Sequence, residues 1–105
     1  MKILAIETSC DDTAIAIVEC KGEIENLQTK LLANIISSQT KLHAKSGGII
    51  PNLAAREHEK NLIPVLNEAL KKAKIKKEHF AKEIDLIATT KGPGLQPSLL
   101  MGLNF

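Results

Sequence analysis

The chain has 105 residues, 44% of them hydrophobic and 25% charged, with 14 Lys and Arg against 12 Asp and Glu for a formal net charge of +2. That length fits one small domain, and that balance is the composition of an ordinary folded globular protein, which excludes a disordered chain. Two Phe with neither Trp nor Tyr leave the core to Ile, Leu, Val and Ala, and exclude a single-strand nucleic-acid binder built on aromatic stacking.

The N-terminus lacks the apolar segment and cleavage site of a signal peptide, and no apolar run approaches the ~18 residues of a membrane span. A cytoplasmic protein without a membrane partner is expected. KILAIE (2–7) and TAIAIV (13–18) read as strands, which makes Thr8-Ser9-Cys10-Asp11-Asp12 the turn between them. A tight hairpin needs only two residues, typically with glycine; this turn has five and none. As a solvated turn, its Ser, Thr and Asp side chains would cap local backbone groups. Cys20 lies at the far end of the second strand, roughly 20 Å from Cys10 at ~3.3 Å per residue. A disulfide needs Cα atoms within about 7 Å, so both are expected as free thiols, with Cys10 serving packing rather than nucleophilic chemistry.

Leu31–Ser37 reads as a third strand, completing an antiparallel meander, and HAKSGGIIP (43–51) as a loop. An amphipathic helix follows over 52–70. Pro64 is expected to kink or split it near 60–63, and the continuing apolar face favours a kink. Lys71, Lys72, Lys74, Lys76 and Lys77 then read as a solvated helix terminus meeting the negative helix end, in preference to a phosphate-binding patch. EIDLIATT (83–90) reads as a strand, Gly92-Pro93-Gly94 as a sharp turn, and 95–105 as an apolar helical segment that needs cover from the rest of a domain or a partner. The order β-β-β-α-β-α predicts an α/β fold with a mixed sheet whose last strand returns parallel to the first.

In such a sheet an acidic, hydroxyl-rich turn between the first two strands acquires a second reading. Its backbone N–H groups can meet phosphate oxygens, while Asp11 and Asp12 can bind a metal or act as acid or base. That signal becomes strong only together with other segments. His43, His58 and His79 stand 15 and 21 residues apart, which is no short-range ligand spacing. His43 orders its loop, approaches substrate or is simply solvated; His58 reads as a structural or polar surface residue and His79 as exposed.

Three segments, ILAIETSCDDTAIAIVE, SSQTKLHAKSGGIIPNLAAREH and ATTKGPGLQPSLLMGL, in that order and spacing, closely resemble the N-terminal portion of the TsaD family, bacterial or organellar branch, the tRNA N6-adenosine threonylcarbamoyltransferases. The HAKSGGIIP loop with Arg56 and His58 separates the chain from the shorter paralogue TsaB, which lacks that loop. The resemblance covers essentially the whole chain. It implies an actin-like, hexokinase-like ATPase (ribonuclease-H-like) fold, with residues 1–105 forming an incomplete N-terminal lobe that stops within its second helix.

The implied activity is transfer of a threonylcarbamoyl group from threonylcarbamoyl-AMP to N6 of the adenosine following the anticodon, in tRNAs reading codons that begin with A. Asp11 falls on a family active-site aspartate, and Thr8, Ser9 and Cys10 on the loop facing the acyl-adenylate phosphates. Asp12 stands where relatives often carry Glu. The family's metal ion, iron or zinc, is held by a His-x-x-x-His pair and an Asp beyond the matched stretch, so no metal ligand is expected here. The implied partners are tRNA, a TsaB-type subunit and a TsaE-type ATPase. Two alternatives stand beside this: a non-catalytic docking module using helices 52–70 and 95–105, and a ribonuclease-H-like nuclease using Glu7, Asp11 and Asp12, with Asp85 as the only later strand carboxylate.

Overall fold

Alternation of side chains across the strands builds the sheet. In the computed structural model, which describes residues 1–105, β1 (Lys2–Glu7) and β2 (Asp12–Lys21) pair antiparallel with Leu4 opposite Ile17 and Ile6 opposite Ile15. Because successive strand residues point to opposite faces, these four large apolar residues share one face, and all are buried. Ala5, Ala14 and Ala16 occupy the other. β3 (Gln28–Ser38) continues the antiparallel meander, with a register irregularity at Ile17/Val18. The strand order is β3-β2-β1-β4, and β4 (Leu86–Thr89) lies parallel to β1. The predicted mixed sheet, with its last strand parallel to the first, is therefore the observed one.

Three differences have local causes. β2 and β3 outrun the predicted 13–18 and 31–37, because their ladder extends from Asp12–Ser38 to Lys21–Gln28 over polar residues that carry no core signal. The start of the predicted 43–51 loop belongs to a short helix, α1 (Thr40–Ala44), and another, α3 (Phe80–Glu83), occupies the start of the predicted 83–90 strand. Neither has a side-chain cap, and five and four residues are too few to display a helical period.

The long helix α2 (Pro51–Lys72) runs unbroken through Pro64. Lys60, whose carbonyl loses its helical donor, and Pro64 both lie on the exposed face, where water serves that carbonyl. The buried face of α2 (Ala54, Ala55, His58, Leu62, Val65, Ala69, Leu70) covers the apolar face of the sheet. The helix ends with Ile75 N–H on Leu70 O (2.9 Å) and Lys74 N–H on Lys71 O (3.1 Å). This is a Schellman cap, with Lys74 at φ 59° where glycine is usual and Ile75 buried in the core beside Leu70. The neighbouring lysines are all exposed and none forms an ion pair, as a solvated terminus requires.

The last helix, α4 (Gln96–Asn104), packs on α2 and on β1. Leu100, Leu103 and Phe105 remain 42%, 45% and 46% exposed. The alanine face of the sheet carries no helix, and an open groove of about 470 Å³ crosses it along Ala5, Ala14, Ala16 and Ala88 up to Glu7. No helix of the chain is long and apolar enough to cross a membrane.

Candidate functional site

The turn between β1 and β2 is residues Thr8 to Asp11, one shorter than predicted, since Asp12 already pairs with Ser38 at the head of β2. Its shape is set from outside. Ser9 O accepts from Leu95 N–H at 2.7 Å, Cys10 O from His58 Nε2 at 2.9 Å, and Asp11 O from Gln39 N–H at 3.0 Å. Three successive carbonyls are thus held by three different segments, one just before α4, one on α2 and one following β3. In a trans peptide the C=O and N–H point in opposite directions, so the Cys10 and Asp11 N–H groups face away from these donors, and neither has an oxygen acceptor in the chain.

Each predicted site residue can now be placed. Thr8 continues the Leu4, Ile6 alternation and is 1% exposed; its Oγ1 donates to Ser98 O at 2.8 Å and accepts from Gly102 N–H at 3.2 Å. That hydroxyl is committed to α4 and does not reach the solvent side of the turn. Ser9 turns back on Glu7, its N–H on Oε1 at 2.5 Å and its Oγ–H on Oε2 at 3.0 Å. Ser9, Cys10, Asp11 and Asp12 line one pocket of about 230 Å³ with Glu7, Ala14 and Ile36. Glu7 and Ala14 also line the alanine groove, so the two run together. Burial, and then the Asp11 carboxylate beside it, push the Cys10 thiol up from its ordinary value. It stays protonated at neutral pH, which suits packing and not a nucleophile.

His43 lies in α1, not in an open loop, and is 3% exposed. Its Nε2–H donates to Gln39 Oε1 at 2.7 Å and its Nδ1 faces the Ile50 N–H at 3.4 Å, so of its three readings the loop-ordering one matches its contacts. Gln39 ties this network to α2 through Ala54 O at 3.2 Å. His79 is exposed. His58 is fully buried, with Nδ1 2.8 Å from Thr13 Oγ1, the structural reading and not the surface one. Gln39, Ser98 and Gly102 act at the turn without having been singled out by residue type, and Gly94 was read only as part of a sharp turn. The signal available was that each sits inside one of the three quoted segments.

Close approach of α4 depends on two glycines. A Cβ at Gly94 would lie 2.5 Å from Ser9 O, and one at Gly102 would lie 2.7 Å from Thr8 Oγ1. At the opposite end of β1, Lys2 N–H donates to Asp85 Oδ2 at 2.7 Å and Asp85 N–H to Lys2 O at 2.9 Å, while the Lys2 ammonium bonds Glu83. Asp85 therefore stands roughly 16 Å from Glu7, five residues along the strand. No three His, Cys, Asp or Glu side chains converge on a common point that could hold a metal ion. The residues present fit neither a metal centre nor the carboxylate cluster of a two-metal nuclease, and that alternative is set aside.

The family model of TsaD, tRNA N6-adenosine threonylcarbamoyltransferase, matches residues 30–105. Relatives of that name from Persephonella marina and Buchnera aphidicola are 50% and 51% identical over 99% and 100% of this chain, and the chain spans 27% and 28% of their lengths. Among solved structures, YeaZ from Pseudomonas aeruginosa superposes over 98% of this chain and 35% of its own with a TM-score of 0.56 at 16% identity, a likeness of fold. The actin-like α/β lobe is thereby established, and the chain belongs to the TsaD family, the tRNA N6-adenosine threonylcarbamoyltransferases.

Proposed function

We propose that these 105 residues act as the N-terminal lobe of a tRNA threonylcarbamoyltransferase, with the Ser9–Asp12 segment facing the phosphate and acyl group of threonylcarbamoyl-AMP and Thr8 anchoring that segment to α4. The observation that carries this reading is the triple pinning of the Ser9, Cys10 and Asp11 carbonyls. It leaves the Cys10 and Asp11 N–H groups and the Asp11 and Asp12 carboxylates on the open side of the turn, with the Asp11 N–H and carboxylate also facing the Cys10 thiol. Free backbone N–H pairs suit phosphate or developing oxyanion charge. In the transfer, N6 of adenosine forms a C–N bond to the carbamoyl carbon, the C–O bond to phosphate breaks, and AMP leaves with that electron pair. The nitrogen must shed one proton, and Asp11, with Asp12 beside it, is the carboxylate assigned to orient the amine and receive it.

The family's metal ion, iron or zinc, is assigned to ligands outside these residues. A TsaB-type subunit, a TsaE-type ATPase and a cytoplasmic setting complete the reading. The test uses the full-length protein with its partner subunits, a tRNA substrate, and mass spectrometry of the digested nucleosides. The native protein should form N6-threonylcarbamoyladenosine, and Asp11→Asn should lose about 10²-fold or more of the rate. Absence of product with the native assembly, or full activity of Asp11→Asn, overturns the proposal. A second reading, a lobe that docks a TsaB-type partner without turnover, is favoured by the half-exposed Leu100, Leu103 and Phe105. It predicts a stable heterodimer that forms no product and that is lost on Leu103→Asp.

A further inference from the structure

His58 is the one fully buried imidazole that reaches the acidic turn, and its contact with a carbonyl fixes which nitrogen donates to that turn. A carbonyl oxygen only accepts, so Nε2 carries the proton given to Cys10 O at 2.9 Å. In the neutral ring Nδ1 is then bare and accepts from the Thr13 hydroxyl at 2.8 Å. Thr13 is itself fully buried on β2, so the ring spans from one strand end to the turn leading into that strand. Of the three donors on the turn carbonyls, Leu95 and Gln39 use backbone N–H groups that any residue supplies. Only the middle one is a side chain. It holds the peptide whose opposite end is the Asp11 N–H.

We propose that His58 is a positioning residue of the transfer reaction: by holding the Cys10 carbonyl inward it aims the Asp11 N–H and carboxylate at the substrate, without touching substrate itself. This rests on the function proposed above. His58→Gln retains an amide N–H at about the reach of Nε2, whereas His58→Asn keeps a group at the Nδ1 position and cannot reach Cys10 O. Both variants lose the imidazole's packing to a similar degree, so a merely structural role predicts similar effects from the two.

Two readouts on the full-length protein with its partners separate the outcomes. In the transfer assay, His58→Asn should lower kcat roughly 10–100-fold, the effect of a misplacement near 1 Å, while KM for tRNA stays within about twofold, and His58→Gln should recover most of the loss. In the Asp11→Asn background, His58→Asn should add little, since both act through the same group. By hydrogen exchange, the peptide spanning Thr8–Asp12 should exchange faster in His58→Asn than in His58→Gln, with the remainder of the chain alike. Should His58→Asn fail to fold, Thr13→Val, which keeps the shape and removes the donor to Nδ1, should give a partial loss of kcat with the same local exchange signature. Equal losses in the Asn and Gln variants that track their thermal stability, or unchanged exchange in the turn, overturn the proposal. If the native assembly transfers nothing, the functional reading fails, and the exchange comparison still decides whether His58 positions the turn.

Discussion

Replacing Gly94 by alanine tests whether the close seating of α4 on the turn is required. The added methyl would meet Ser9 O at 2.5 Å, Ser9 Cβ at 2.8 Å and Ser9 Cα at 3.0 Å. Those are backbone or backbone-proximal atoms, so no rotamer change relieves the overlap. The chain must separate by several tenths of an ångström or more, at the place where Leu95 N–H bonds Ser9 O at 2.7 Å. Overpacking of this kind costs about 1–3 kcal/mol and the weakened hydrogen bond about 1 kcal/mol. The smaller conformational freedom of the unfolded alanine chain returns about 0.4–1 kcal/mol. The net loss is roughly 2–3 kcal/mol, and for a domain of this size each kcal/mol moves Tm by about 4–8 °C. Thermal unfolding followed by circular dichroism should therefore show Gly94→Ala melting roughly 10–20 °C below the parent. Gly48→Ala, whose new methyl meets nothing within 4 Å, is the control and should lose no stability, gaining at most about 0.4–1 kcal/mol from the entropy term alone. A Gly94→Ala melting point within a few degrees of Gly48→Ala would refute the steric reasoning.

The cap of α2 gives a prediction of opposite sign: Lys74→Gly relieves a left-handed residue at φ 59°, worth about 1–2 kcal/mol, against about 0.5–1 kcal/mol of added chain entropy. Urea unfolding should show a small gain in stability, and a clear loss would mean that Lys74 makes a contact outweighing its strain. A third prediction concerns pH. The Cys10 thiol is raised above its ordinary value of 9.0 by burial and then by Asp11, so the folded state holds this proton more tightly than the unfolded one. Its stabilisation is complete below pH 9 and is lost as pH rises through the folded value. The urea midpoint should fall above pH 9, and Cys10→Ser should flatten that fall. Lys2, raised from 10.5 chiefly by its hydrogen bond to Glu83, has the same sign, with its contribution present in full below that value and lost only above it, so Lys2→Met should lower the urea midpoint evenly across pH 6–9 and leave its slope there unaltered.

How far the sequence reached depended on whether a feature lay in a period or in a long-range contact. The strands and the parallel return of β4 were legible because Leu4, Ile6, Ile15 and Ile17 alternate with small residues and leave only one face to bury. Helices α1 and α3 were not, being shorter than two turns and uncapped. At the site, Asp11 and Asp12 were visible as carboxylates in a turn without glycine, whereas the work of His58 depends on Cys10 O and Thr13, 48 and 45 residues away. Some of that was available: His58 lies four residues after Ala54 and four before Leu62, both buried, which puts it on the inner face of α2. Thr8 likewise extends the Leu4–Ile6 face, a sign that its hydroxyl points to the core and not to a ligand.

The missing glycine in the turn has the same origin as its chemistry. A tight hairpin turn uses glycine, or Asn and Asp, because its geometry is set locally by residues able to take positive φ. The Thr8–Asp11 turn has no positive φ; its path is imposed by Leu95, His58 and Gln39, each delivered by an element whose own place is fixed by packing. Core and site are therefore coupled. A substitution that unseats α2, such as Leu62→Ala, removes about 2–5 kcal/mol of packing and also withdraws the donor from Cys10 O. A locally coded turn would keep its shape under that perturbation. In this chain the path of the turn at Asp11 should degrade together with the packing of α2 and α4, so that variants far from the pocket distort the turn before they lose the fold.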